Sequence, residues 1–269
     1  MAFRRFVRGQ VPWERLEAVA REVARRYGEQ SVRVEFLEAD NWLSTPCVVN
    51  DRWFVKVITP QNSLVHALFT GARNIGAFTS GREGFFEHFG TPLDMAEHEL
   101  AATERIRGLG LNAPRPVEAF EYDGYGVLVL EYLAEFETFD DLDVETATDL
   151  APELFAALAT MHDAGLAHGD FREENVLVTG GDLYFIDATS VRDGAIADAR
   201  AYDLASALAA LAPHVGARAA VAAARTAYDA ADLLAAEEFL DFVNLRPDHD
   251  FDAAAVKGEI EKAAERDAA

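Results

Sequence analysis

Hydrophobic positions change their period along the chain. From Pro12 to Gly28 they fall at Leu16, Val19, Ala20, Val23 and Ala24, the spacing of an amphipathic helix with one face set against a partner. Ser31 to Leu37 alternates Val32, Val34 and Phe36 with polar residues, which predicts a half-buried strand. Cys47 to Ile58 predicts two more strands, broken at Asn50-Asp51. A β meander therefore follows the first helix. From Thr59 to Thr91 the pattern gives way to a Gly-rich insertion with a helical fragment at Leu64 to Phe69, and loops of this length in compact domains are usually functional or mobile. Met95 to Arg107 returns to helical spacing, closed by Gly108 and Gly110, and Pro114-Arg115-Pro116 stops any continuation. Val117 to Tyr122 and Val127 to Tyr132 flank Asp123-Gly124, a hairpin signal.

After an acidic stretch, Glu135 to Asp143, the spacing is mostly helical: Thr146 to Ala164, Ala199 to Leu211, Ala217 to Phe242, and a charged tail from Asp252. The change near Tyr132 predicts an α+β, bilobal chain joined by a short hinge. On this reading residues 1–30 are an N-terminal helix and 31–132 a small antiparallel β lobe holding the insertion (59–91) and the Met95–Arg107 helix. Residues 133–269 form a helical C-terminal lobe.

Composition narrows the function classes. No apolar stretch approaches the about 18 residues of a bilayer span, and residues 1–10 lack the apolar core of a secretory signal, so a cytoplasmic protein without a membrane partner is expected. The single cysteine, Cys47, excludes an intrachain disulfide and a cysteine-rich zinc site, and is expected as a small buried hydrophobe. The 47 acidic residues against 24 basic ones, net −23, disfavour direct nucleic acid binding. The acidic charge is dispersed, and Lys56, Lys257 and Lys262 are the only lysines. Such a surface resembles the proteins of salt-in halophiles, and an acidic protein from a GC-rich genome fits as well.

The densest chemistry lies in Leu166 to Val191. Apolar runs Val176–Val178 and Leu183–Ile186 are joined by Thr179-Gly180-Gly181-Asp182, a hairpin with polar residues at both ends. Asp170 precedes the first strand, Asn175 abuts it and Asp187 ends the second, so the hairpin should bring all three to one place. Two carboxylates and an amide oxygen are hard donors of the kind Mg²⁺ takes alongside phosphate oxygens. Taken singly, Asp170 and Asn175 would pass for turn residues and Asp187 for a strand end. The seven histidines show no metal spacing, and His168 reads as structural.

His168-Gly169-Asp170-Phe171-Arg172-Glu173-Glu174-Asn175 resembles the HxDxxxxN catalytic loop of the protein-kinase-like fold. The resemblance implies ATP and Mg²⁺ as cofactors, with Asn175 and Asp187 on the metal and Asp170 at the acceptor hydroxyl. It also implies a strand lysine for the phosphates and a helix glutamate to hold it. Lys56, in Trp53-Phe54-Val55-Lys56-Val57-Ile58, is the only lysine before residue 257. Among Glu97, Glu99 and Glu104, counting back from Gly110-Leu111-Asn112-Ala113-Pro114 favours Glu99. The long insertion, the Ala-Thr-Ser after Asp187 and the lack of an Ala-Pro-Glu segment look like the RIO family of atypical serine/threonine kinases. That family's phosphate flap carries Ser-Thr, here Ser44-Thr45, although no glycine follows and Pro46 stiffens the segment. Arg172 stands where ordinary protein kinases have a lysine and could neutralise the transferring phosphoryl group. Glu131-Tyr132-Leu133 would be the hinge whose backbone meets the adenine edge, with Leu130 behind it, and Asp203 resembles the helix aspartate that braces the catalytic loop. The implied reaction moves a phosphoryl group from ATP to an acceptor hydroxyl, as a RIO-like serine/threonine protein kinase, or to water, as an ATPase. Alternatives are a small-molecule kinase of the aminoglycoside or choline phosphotransferase type, and a nucleotide-driven switch with a ribosomal or other assembly partner.

Overall fold

The computed structural model of the protein describes residues 11–37, 44–61, 90–188, 196–245 and 250–268. The helix expected at 64–69, flap residues 41–43 and the Thr189-Ser190 pair lie outside the described residues. The chain divides into two compact units, one within residues 1–104 and 114–135, the other within 105–113 and 136–269.

In the first unit five strands form one antiparallel sheet: β1 (Val34–Phe36), β2 (Thr45–Val49), β3 (Trp53–Ile58), β4 (Pro116–Tyr122) and β5 (Tyr125–Glu131), in the order β1-β2-β3-β5-β4. The turns are where the sequence places them. Asn50 and Asp51 join β2 to β3 at φ 55° and 53°, and Asp123-Gly124 joins β4 to β5 at 53° and 82°, the left-handed pairs that tight hairpins require. Helix α1 (Trp13–Arg26) buries Leu16, Val19, Ala20 and Val23 with Cys47, Val49, Trp53, Val55, Val57, Val127 and Val129. Burial pushes the Cys47 thiol up to about 12. A smaller cluster of Ile58, Leu128, Leu130 and Ala96 covers β3 and β5 with helix α2 (Pro92–Gly108). Because β3 meets both clusters, its burial is nearly continuous rather than alternating.

One strand differs from expectation. β1 is three residues long, not seven, and Val32 and Phe36 are 37% exposed. Alternation gave the spacing, but at the edge of the sheet only Val34 reaches the α1 cluster, while Phe36 meets the ring of the exposed Trp13.

The second unit holds helices α3 (Val144–Asp163), α4 (Ile196–Val215), α5 (Ala217–Ala224), α6 (Ala230–Asn244) and α7 (Ala253–Ala268). It also holds the sheet β6 (Glu137–Thr138), β7 (Val176–Thr179) and β8 (Asp182–Phe185), in that order. Helix α4 is buried almost all round from Ala199 to Leu211 and packs against α3, α5, α6 and α7, which makes it the core of the unit. The single helix expected over Ala217–Phe242 is two. Asp229 caps α6 by accepting from Asp232 N–H at 2.9 Å, while the Asp232 side chain turns back to the Asp229 N–H. Among the described residues no helix is long and apolar enough to cross a membrane.

Candidate active site

Strand alternation decides what Lys56 faces. Val55 and Val57 belong to the α1 cluster, and Phe54 and Ile58 to the α2 cluster, so Lys56 shares the α2 face. The residue is 4% exposed, and its Nζ donates to Glu99 Oε1 at 2.7 Å. Glu97 and Glu104 are exposed, so of the three candidates the structure brings Glu99 to the lysine. A buried ammonium costs several kcal/mol unless paired, and here the pair crosses from strand to helix.

The approach of α2 has a local cause that the sequence did not single out. A Cβ at Gly126 of β5 would lie 2.0 Å from the Pro92 carbonyl oxygen at the start of α2, so no other residue fits there without moving the helix that carries Glu99. Ser44, just before β2, is buried, and its Oγ has no hydrogen-bond partner among the described residues. At the expected hinge, Glu131 N–H donates to Arg115 O at 2.9 Å and Tyr132 N–H to Arg52 O at 3.0 Å. Of these three amides, Leu133's alone has no backbone acceptor among the described residues.

In the second unit the hairpin brings its polar ends together. Asn175 Nδ2 donates to Asp170 O at 2.8 Å, and Ile186 N–H donates to Asn175 O at 3.1 Å, which sets Asp187 beside Asn175. Asp187 takes φ 61°, a left-handed conformation that Asp tolerates better than most residues and that often marks working positions. His168 is fully buried. Desolvation holds its imidazole below the usual value, against the opposing pull of Asp203, Asp170 and Asp187. Within the loop the Arg172 guanidinium lies 3.4 Å from Asp170 Oδ2 and also pairs with Glu174.

The loop backbone is gripped from α4. Asp203 is 0% exposed, and its carboxylate accepts from the N–H of His168 and, at 2.8 Å, from that of Gly169. Charge-assisted bonds to two successive amides leave residues 168–170 little freedom. Sequence reasoning missed His162, whose Nε2 lies 3.2 Å from the same carboxylate. The available signal was a histidine in the last turn of an apolar helix. Among the described residues no three His, Cys, Asp or Glu side chains gather into a metal cluster. The donor set nonetheless suits Mg²⁺. Asn175 spends its N–H on Asp170 and keeps an acceptor oxygen, Asp187 adds a carboxylate, and Mg²⁺ commonly takes only one or two protein carboxylates together with substrate phosphates.

Comparison with known proteins places this hairpin in a named context. Residues 91–194 match the RIO domain, a span that includes Glu99, Glu131, Leu133, Asp170, Arg172, Asn175 and Asp187, and leaves out Ser44 and Lys56. A probable bifunctional tRNA threonylcarbamoyladenosine biosynthesis protein of Methanothermobacter thermautotrophicus is 32% identical over 89 residues, 33% of this chain and 16% of that protein. The KEOPS complex subunit Bud32 of Pyrococcus abyssi is 29% identical over 93 residues, 33% of this chain and 41% of that protein. The matched stretch thus spans less than half the length of either relative. Among solved structures, a putative fructosamine-3-kinase from Haemophilus somnus is 12% identical with a TM-score of 0.49, over 91% of this chain and 96% of that one.

Proposed function

We propose that the protein is an ATP- and Mg²⁺-dependent phosphotransferase, a RIO-like serine/threonine kinase or ATPase. The observation that carries this reading is the loop geometry. Asp203 fixes two backbone amides of the loop and Asn175 fixes the Asp170 carbonyl, so Asp170 is held on a rigid backbone next to a hairpin end that carries Asp187. The RIO domain match, which spans Asp170, Asn175 and Asp187 and ends before Asp203, supports it.

In this reading Asp170 receives or orients the proton of the acceptor hydroxyl. Asn175 and Asp187 hold Mg²⁺, which when bound neutralises phosphate charge. Lys56, kept in place by Glu99, binds the α and β phosphates, and Ser44 supplies to a phosphate oxygen a buried hydroxyl that has no partner among the described residues. The amide of Leu133 and the carbonyl of Glu131 take the adenine edge. Arg172, already neutralised in part by Asp170 and Glu174, is available to developing charge only if it exchanges one of these partners. A protein hydroxyl is favoured as acceptor over a small molecule by the RIO match. The Pyrococcus relative is a complex subunit, and by that likeness this chain too works with an assembly partner.

Calorimetry with MgATP on two variants tests the roles. Asp187→Ala removes a metal ligand and is expected to weaken MgATP binding itself. Asp170→Asn should bind MgATP nearly as the native chain does while transfer falls steeply. Loss of binding in Asp170→Asn, with binding and transfer both intact in Asp187→Ala, reverses the assignment. The dispersed acidic charge also supports a cytoplasmic protein working in high salt: its melting temperature should climb as KCl approaches molar concentration, and a flat or falling one removes that idea.

A further inference from the structure

Tyr228 lies outside every motif of the candidate site, in the short break between α5 and α6. Its ring is buried edge-on to Phe155, with centroids 6.5 Å apart, and under the Arg200 guanidinium at 5.3 Å. Arg200 is itself held by Asp163 and Asp232, each at 3.1 Å. Asp232 belongs to the capping box that starts α6, so the ring is fixed by the same residues that break the helix. From this anchored position the Tyr228 hydroxyl meets His162 Nδ1 at 2.8 Å, and His162 Nε2 lies 3.2 Å from Asp203 Oδ2. Asp203 is the carboxylate that receives the amides of His168 and Gly169.

The directions of these bonds follow from the donors. A carboxylate only accepts, so His162 Nε2 carries the proton facing Asp203. In the neutral ring Nδ1 is then the acceptor and the Tyr228 O–H the donor. Burial raises the Tyr228 phenol well above its usual value, which keeps that donor in place. The Oδ2 atom of Asp203 serves both His162 and the His168 amide, so a shift of the imidazole is felt at the loop. Buried polar chains in which every member is paired admit one arrangement and lose it together.

We propose that Tyr228 and His162 are positioning residues: through the Asp203 carboxylate, the break between α5 and α6 sets where the 168–170 loop stands. Its effect on turnover rests on the phosphotransferase reading; its effect on the loop does not.

Tyr228→Phe in the 269-residue chain keeps the ring and removes only the hydroxyl. Hydrogen exchange at the His168 and Gly169 amides should quicken about tenfold, the worth of one net hydrogen bond. The kcat for phosphoryl transfer should fall by a similar factor, while the KM for MgATP holds and the melting temperature drops only by the few degrees that one lost hydrogen bond costs. His162→Gln can still accept from Tyr228 and donate to Asp203, and should restore both readouts where His162→Leu does not. Unchanged exchange at the two amides in Tyr228→Phe overturns the relay whatever turnover does. Faster exchange spread evenly over the whole unit, with a melting temperature lowered well beyond those few degrees, marks a packing role, and also overturns it. Faster loop exchange with an unchanged kcat overturns the positioning role. Faster loop exchange in a chain whose native form transfers no phosphate sustains the relay and removes the phosphotransferase reading instead.

Discussion

In the sheet unit the proposed phosphate-binding group is a side chain: Lys56 is placed by β3 alternation and paired with Glu99. In the helical unit the proposed catalytic group, Asp170, is placed by backbone: the amides of His168 and Gly169 just before it are held by Asp203, a carboxylate with no exposure. The two designs respond differently to change. A strand whose neighbours are Val55, Val57, Phe54 and Ile58 stays a strand when one polar atom is removed, because apolar burial sets its register. A loop held by a buried carboxylate has no such reserve, since its amides lose their acceptor together.

The largest expected effect breaks function away from fold. Lys56→Met keeps most of the stem's packing and deletes the charge. Glu99 is left without its cation, but its side chain is 18% exposed and can hydrate. Phosphoryl transfer should fall at least about a hundredfold as the phosphates lose their clamp, with little change in melting temperature. Turnover and thermal melting on the same sample check both parts, and unchanged turnover would move the phosphate site elsewhere.

Asp203→Ala is the matching test in the helical unit, and there fold and function should fail together. The substitution leaves the His168 and Gly169 amides and the His162 imidazole without their acceptor, a loss of about 3–5 kcal/mol for a buried network stripped of its charged member. Urea unfolding measures it. A variant that keeps its stability would show that the two units are not held in different ways.

The same contrast explains what could be read from the sequence. Asn50-Asp51, Asp123-Gly124 and Gly180-Gly181 were legible because left-handed turns have their own residue chemistry, and all six adopt positive φ. The His168-to-Asn175 spacing and the following hairpin were legible because chemistry at both ends of one local element needs no distant information. Glu99 could be picked from three glutamates only by counting along a resemblance. What was hidden depends on distant partners. Gly126 matters only because the Pro92 carbonyl comes to it from another part of the chain. The Ala-rich run from Ala217 has continuous helical propensity, and the break at 225–229 comes from the Asp229–Asp232 capping box and the buried Tyr228. The two residues of β6 carry too little pattern to mark a strand that pairs with β7.

The smallest expected effect is confined to the sheet unit and reports how dry its core is. Cys47, the only cysteine, sits among Val55, Trp53 and the α1 residues, and desolvation pushes its thiol from 9.0 up to about 12. The sign follows from proton binding. Between these values the unfolded chain releases the proton while the folded chain keeps it, so stability is full below pH 9 and falls as pH rises toward 12. Other groups titrate in the same window, and Cys47→Ala isolates the thiol because its cavity cost does not depend on pH. From pH 9 to 10 the native chain should lose about 1 kcal/mol more than Cys47→Ala in urea unfolding, the worth of somewhat less than one full unit of linkage. Stability curves that run parallel would mean that the thiol reaches water and that the α1 face of the sheet is wetter than its packing implies.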